Sequence, residues 1–168
     1  MNLLVAVTVL CLGQFAATPV LLHAQLEEPK PIVFTFDVEI TLSDKAAMRL
    51  KMRHESIVVS ADYYGEPKPD AQDHANQIGM INLGVENVEV IGAAGLVKIT
   101  GTKIDIHRLD WIKGPVLLNV NAFSGRHASA DNILACDFFD GRLSSAVRKT
   151  PVLHCSLIEE GGKTAHRH

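Results

Sequence analysis

Chemistry in this chain would have to come from a few polar residues that lie close together in sequence. Asp70-Ala71-Gln72-Asp73-His74 carries two carboxylates and an imidazole in one stretch after Pro69. Three such ligands fall short of the 6 to 8 oxygens that calcium prefers, and no second segment supplies the rest, so a solvated loop is expected and no metal or other cofactor is implied. Ser124, His127 and Asp131 are the nearest approach to a nucleophile, base and acid, with Ser60 and Asp62 as a second set that lacks a nearby histidine. Neither serine stands in a G-x-S-x-G elbow, and a base three residues from its nucleophile in a loop is not preorganised. Asp37 and Glu39 share one strand face, about 7 Å apart, as solvated acids do. Metalloprotease, P-loop and dinucleotide-binding motifs are absent. His166-Arg167-His168, with Lys163, reads as part of a flexible end rather than as a copper or nickel site.

Recognition is the other chemistry these residues could serve. Tyr63 and Tyr64 are strand neighbours and so point to opposite faces, one to the core and one outward. With Asp70, Asp73 and His74 they form a candidate binding edge over residues 63–74. Arg126 and His127 mark a second polar loop, 124–132. Two functions from different classes follow. The first is an exported, non-catalytic binding or assembly module of the cell envelope or extracellular space that uses both loops on one surface. The alternative is an envelope-polymer hydrolase that uses His127 or His74. Trp111, the only tryptophan, is expected to plug one end of the core.

The elements that must hold these residues are short strands. Residues 32–42 alternate from Phe34, with Phe34, Phe36, Val38, Ile40 and Leu42 on one face. Ser43 is placed to cap a helix over 44–52, the one helix of about two to three turns expected here. Further strands are expected over 55–64, 78–83, 85–91, 96–106, 116–123, 133–139 and 151–158. Turns are assigned to Gly65 to Pro69, Gly84, Gly92, Gly95, Gly114-Pro115 and Asp140-Gly141. Residues 107–113 could form one helical turn. Strands at this spacing, without a helix between most of them, give a mainly β chain. The expected fold is a two-layer antiparallel β-sandwich with one short helix, immunoglobulin- or transthyretin-like by analogy.

The whole chain sets the compartment. Its 168 residues suit one domain, with residues 32–158 as the sandwich and 159–168 as a flexible tail. Residues 1–24 contain no Lys, Arg, Asp or Glu, and an apolar run from Leu3 to Leu12 reads as a signal peptide cleaved after Ala24. An uncleaved anchor is the alternative, and residues 25–31 form an extended lead-in. Cys11 is not read as a lipid-attachment site, because Leu10 before it is too large. Cleavage leaves Cys136 and Cys155, which an oxidising compartment would join, with Cα atoms about 4.4 to 6.8 Å apart. A net charge of -3 argues against nucleic acid as partner, and no membrane insertion is expected after cleavage. The partner itself is not specified by the sequence.

Overall fold

A computed structural model describes residues 34–161, all within the unit Ile32–His168. The leader, the lead-in and the last residues of the tail, with Lys163, His166, Arg167 and His168, lie outside the described residues.

The described residues build two four-stranded sheets. The strands are β1 (Phe36–Leu42), β2 (Ser56–Pro67), β3 (Ile81–Ile91), β4 (Gly95–Ile99), β5 (Ile112–Ser124), β6 (Leu134–Cys136), β7 (Phe139–Arg142) and β8 (Val152–Leu157). One sheet has the order β4-β1-β8-β6 and the other β3-β2-β5-β7. Their facing sides form one core, in which Val38, Ile40, Val59, Tyr63, Leu118 and Leu153 are fully or almost fully buried. The expected sandwich is therefore present, antiparallel except for one pair, β1 with β8. The strict alternation of β1 puts Phe36, Val38 and Ile40 inward and Asp37 and Glu39 in solvent.

The helix α1 (Asp44–Arg53) begins where the sequence places it, because the Ser43 hydroxyl accepts the Ala46 N–H. A second helix, α2 (Leu143–Arg148), escapes the sequence reading and buries Leu143 and Ala146. Residues 106–111 form a 3₁₀ helix, in line with the single helical turn expected there.

Several assigned turns are instead part of strands. Gly84 does not end a strand; it lies within β3 at a φ of 135° and marks a bulge, where Tyr63 pairs with Gly84 but Tyr64 pairs with Asn82. Any Cβ there would lie 2.1 Å from the Lys103 carbonyl oxygen. Gly114-Pro115 likewise lies inside β5, opposite a register shift in β2 between Tyr64 and Glu66. Gly65 to Pro67 continue the central strand β2. Proline is tolerated because β3 has stopped pairing by then, and Pro67 faces only Ile112 of β5. Asp140-Gly141 pairs with Asn119 and Leu118 within β7, so residues 133–139 are not one strand: the chain leaves one sheet after Cys136 and enters the other at Phe139. The strand expected over 96–106 stops at Ile99, and Ile78 sits in a turn rather than a strand. The start of the tail is anchored rather than free, with Glu159 bound to Arg49 at 2.7 Å and Glu160 accepting the Ser43 hydroxyl at 2.9 Å.

Cys136 and Cys155 are bonded, as expected. They stand directly opposite on β6 and β8, with Cα atoms 4.0 Å apart, just below the expected range. The adjacent pair carries the backbone bond, Asp137 N–H to His154 O, which puts the cysteines at the closer, non-bonded type of antiparallel position. Among the described residues no helix is long and apolar enough to cross a membrane.

Candidate functional site

The two loops expected to share one surface lie at opposite ends of their sheet. Ile57, at the start of β2, pairs with Ser124, whereas Pro67 pairs with Ile112. Residues 124–132 therefore leave the sheet where β2 begins and residues 68–74 leave it where β2 ends. Ten residues of strand separate them, about 30 Å at 3.3 Å per residue. The two loops therefore do not project from the same end of the sandwich.

At the first end, Tyr63 is the core tyrosine, fully buried, with its hydroxyl 3.4 Å from Glu86 Oε2. It is not a surface binding residue. Asp70, Asp73 and His74 lie exposed on a 3₁₀ turn, Pro69–His74. His74 stacks flat on Trp111 at 4.0 Å, and Arg108 lies over the same indole at 5.9 Å. Trp111 is half-buried and packs against the core, as a plug should. Among the described residues no three His, Cys, Asp or Glu converge to hold a metal.

At the other end, Arg126 is exposed with φ at 63°, and His127 Nε2 meets Glu89 Oε1 at 2.5 Å. The same Glu89 oxygen accepts the Ser56 hydroxyl. Beneath them Glu55, only 2% exposed, accepts the N–H groups of Ser56, His127 and Ala128 and so fixes the start of the loop. Burial works to raise the Glu55 pKa, but those three donors and the His127 charge outweigh it and hold the carboxyl below its ordinary value. The Ser56 hydroxyl and His127 likewise depress Glu89, and Glu89 raises His127.

A serine, a carboxylate and a histidine thus meet here, in an order that does not make a nucleophile. A hydrolytic triad needs the imidazole between hydroxyl and acid, whereas here the carboxylate stands between serine and imidazole. The other expected sets fare no better. Ser124 is fully buried and bonded to Asn132 and to the Ile133 N–H. Ser60 and Asp62 share the outer sheet face, where no histidine joins them among the described residues.

That outer face holds a site the sequence reading did not assemble. The alternation of β2 and β5 turns Asp62, Tyr64 and Asn119 outward, and Asp140 joins them from β7. Asp62 faces Asn119 and Asn119 faces Asp140 along one row across three strands. Asn82, Asn76, Ile78 and Met80 close one side, around an open depression of about 340 Å³. The rim is tightly built: Asn76 Oδ1 accepts the N–H groups of Ile78 and Met80, both at 3.0 Å, which presents Ile78 to solvent at 82% exposure.

Two features mark this depression electrostatically. The Tyr64 hydroxyl donates to Asp140 Oδ1 at 2.6 Å, and its pKa is pushed up to about 12, first by burial and then by Asp140 and Asp62. Asp62 Oδ1 is shielded from solvent and has no hydrogen-bond partner, and burial raises the Asp62 pKa. Of the residues singled out in the sequence for binding, only Tyr64 lines this site. In the sequence Asp62 stands out only beside Ser60 as a possible catalytic acid; Asn119 falls in a strand expected to be buried and Asp140 in an expected turn, so neither points to this site.

No family model, curated protein or solved structure matches this chain.

Proposed function

We propose that this chain is an exported, non-catalytic β-sandwich binding module of the cell envelope or extracellular space, and that the depression on the outer face of the β3-β2-β5-β7 sheet holds its ligand or partner. The observation that carries this reading is the depression itself, lined by amides, two carboxylates and a tyrosine, where the Asp62 carboxylate keeps one oxygen, Oδ1, shielded and without a hydrogen-bond partner. A buried acceptor without a partner costs stability, about 1 to 3 kcal/mol or more for a charged group, and a cationic group in the depression would offset part of that cost through the charge of the carboxylate. Export is supported by the uncharged apolar run at the N-terminus and by the Cys136–Cys155 bond, which suits an oxidising compartment.

The envelope-polymer hydrolase using His127 or His74 is the second reading; the His127–Glu89 contact would have to serve it as an acid–base pair, because Ser56 bonds the carboxylate rather than the imidazole. Sedimentation of the full chain, expressed in an exporting host, with insoluble cell-wall polymer separates the two. The module reading expects the chain in the pellet with no soluble fragments released. It also expects binding to weaken in Asp62→Asn and Tyr64→Ala and to survive in Arg126→Ala and His127→Ala. Release of soluble fragments that His127→Ala abolishes would replace it with the hydrolase reading. Intact mass of the same preparation tests export, with a chain starting at Gln25 expected and a membrane-bound chain starting at Met1 contradicting it.

A further inference from the structure

Building on the reading of the depression as the binding site, we propose that it takes a primary ammonium group on an aliphatic stem, as carried by a lysine side chain or a free alkyl diamine. Charge excludes most other ligands. The lining has two carboxylates, Asp62 and Asp140, and no lysine or arginine, so an anionic group would meet only like charge. Hydrogen bonding narrows the choice further. Asn76 Oδ1 is engaged by two backbone N–H groups and Asn119 Oδ1 by the Asn121 amide, which leaves the carboxylates as the main acceptors for an incoming donor. Asp62 Oδ1 has no partner and is closed to solvent, so an incoming charge compensates it through the carboxylate as a whole.

A neutral polyol could donate hydrogen bonds to these oxygens, but it would leave a shielded carboxylate uncompensated in charge. An ammonium both donates and compensates, and charge-assisted bonds are roughly twice as strong as neutral ones. Asp62 and Asp140 stand two strand spacings apart, about 10 Å between backbones, too far for one ammonium to bond both closely. Asp62 therefore makes the direct contact and Asp140, held by the Tyr64 hydroxyl, adds its field. The wall supplies the rest of the fit. Ile78, fixed by the Asn76 turn, and Met80 offer an apolar flank against which a methylene stem can lie.

Amide-resolved NMR titration of the full chain tests the assignment with four probes: Nα-acetyl-lysine methylamide, 1,5-diaminopentane, the Nε-acetylated form of the lysine probe, and a methyl hexoside. Saturable shifts are expected at Met80, Asn82 and Asn119 from the two amines and none from the acetylated probe. Asp62→Asn should weaken amine binding about tenfold or more, the loss of one hydrogen bond to a charged group, with the melting temperature held or raised. Glu39→Gln, which removes a charge from the other sheet, should leave it unchanged. Tighter binding of the lysine probe than of the diamine identifies a protein side chain as the source; the reverse order identifies a free amine.

Equal shifts from the acetylated probe, or amine binding unaffected by Asp62→Asn, would overturn the ammonium assignment. Shifts from the hexoside alone would overturn it too, while leaving the depression as the binding site. If no probe moves these residues the ammonium assignment falls, and the site reading falls with it only if Asp62→Asn also leaves polymer sedimentation unchanged.

Discussion

Single carboxylates do most of the organising in this molecule, and each does it by what it accepts. Glu86 faces the interior, 6% exposed, and takes the N–H groups of Thr100 and Gly101 and the Thr100 hydroxyl, which pins the segment after β4 to β3. Glu55 does the same for the start of the 124–132 loop. The Glu55, Glu89 and His127 cluster also makes that loop sensitive to pH. Glu55 and Glu89 titrate lower in the folded chain than their ordinary 4.5, so their contribution is fully present above 4.5 and is lost as pH falls through the folded values. His127 titrates above its ordinary 6.5, so its contribution is fully present below 6.5 and is lost as pH rises through the folded value. The loop should be held best between about pH 4.5 and 6.5. An NMR titration checks this: the His127 imidazole should lose its proton above pH 6.5, and Glu89→Gln should bring its midpoint down. An imidazole that titrates below 6.5 in the parent chain would show that the contact does not form in solution.

Elements were legible in the sequence to the extent that their side chains alternate without interruption. β1 and the capped start of α1 follow directly from Phe36, Val38 and Ile40 and from Ser43. Glycine and proline misled where they serve inside strands. The bulge at Gly84 reverses the parity of β3, so that Ile81 and Leu83 point inward before it, whereas Glu86, Val88 and Val90 do so after it. A period-two reading that stops at Gly84 cannot assign Glu86 to the interior. The same physics gives a prediction. Gly84→Ala should destabilise the chain by more than about 2 kcal/mol, because alanine strains at this φ and its Cβ would clash with the Lys103 carbonyl. Chemical denaturation measures it, and a loss below about 0.5 kcal/mol would mean that the bulge relaxes freely.

The cysteine pair is legible for a simpler reason, since the expected removal of the apolar N-terminal run with Cys11 would leave only two. The bond ties β6, an edge strand of three residues, to β8. Cys136→Ala with Cys155→Ala should cost about 2 to 5 kcal/mol by the same denaturation measurement. Unchanged stability would mean that β6 holds its place without the bond.

At the scale of the whole molecule, two sheets of the described residues bury one aliphatic core, and the outer face of β3-β2-β5-β7 is the face proposed to bind. The sequence indicated a sandwich and one participant in the site, Tyr64. It could not reveal that residues 124–132 lie about 30 Å from the other loop, because pairing direction decides that and no local signal encodes it. Nor could it bring Asp140 beside Tyr64 from 76 residues away. The central claim is that this sheet face, rather than either polar loop, meets the ligand. Hydrogen–deuterium exchange of the full chain, with and without insoluble cell-wall polymer, tests that claim most directly. Added protection is expected over residues 76–82 and 139–142, with residues 125–132 unchanged. Protection confined to 125–132, or to 69–74, would contradict the account.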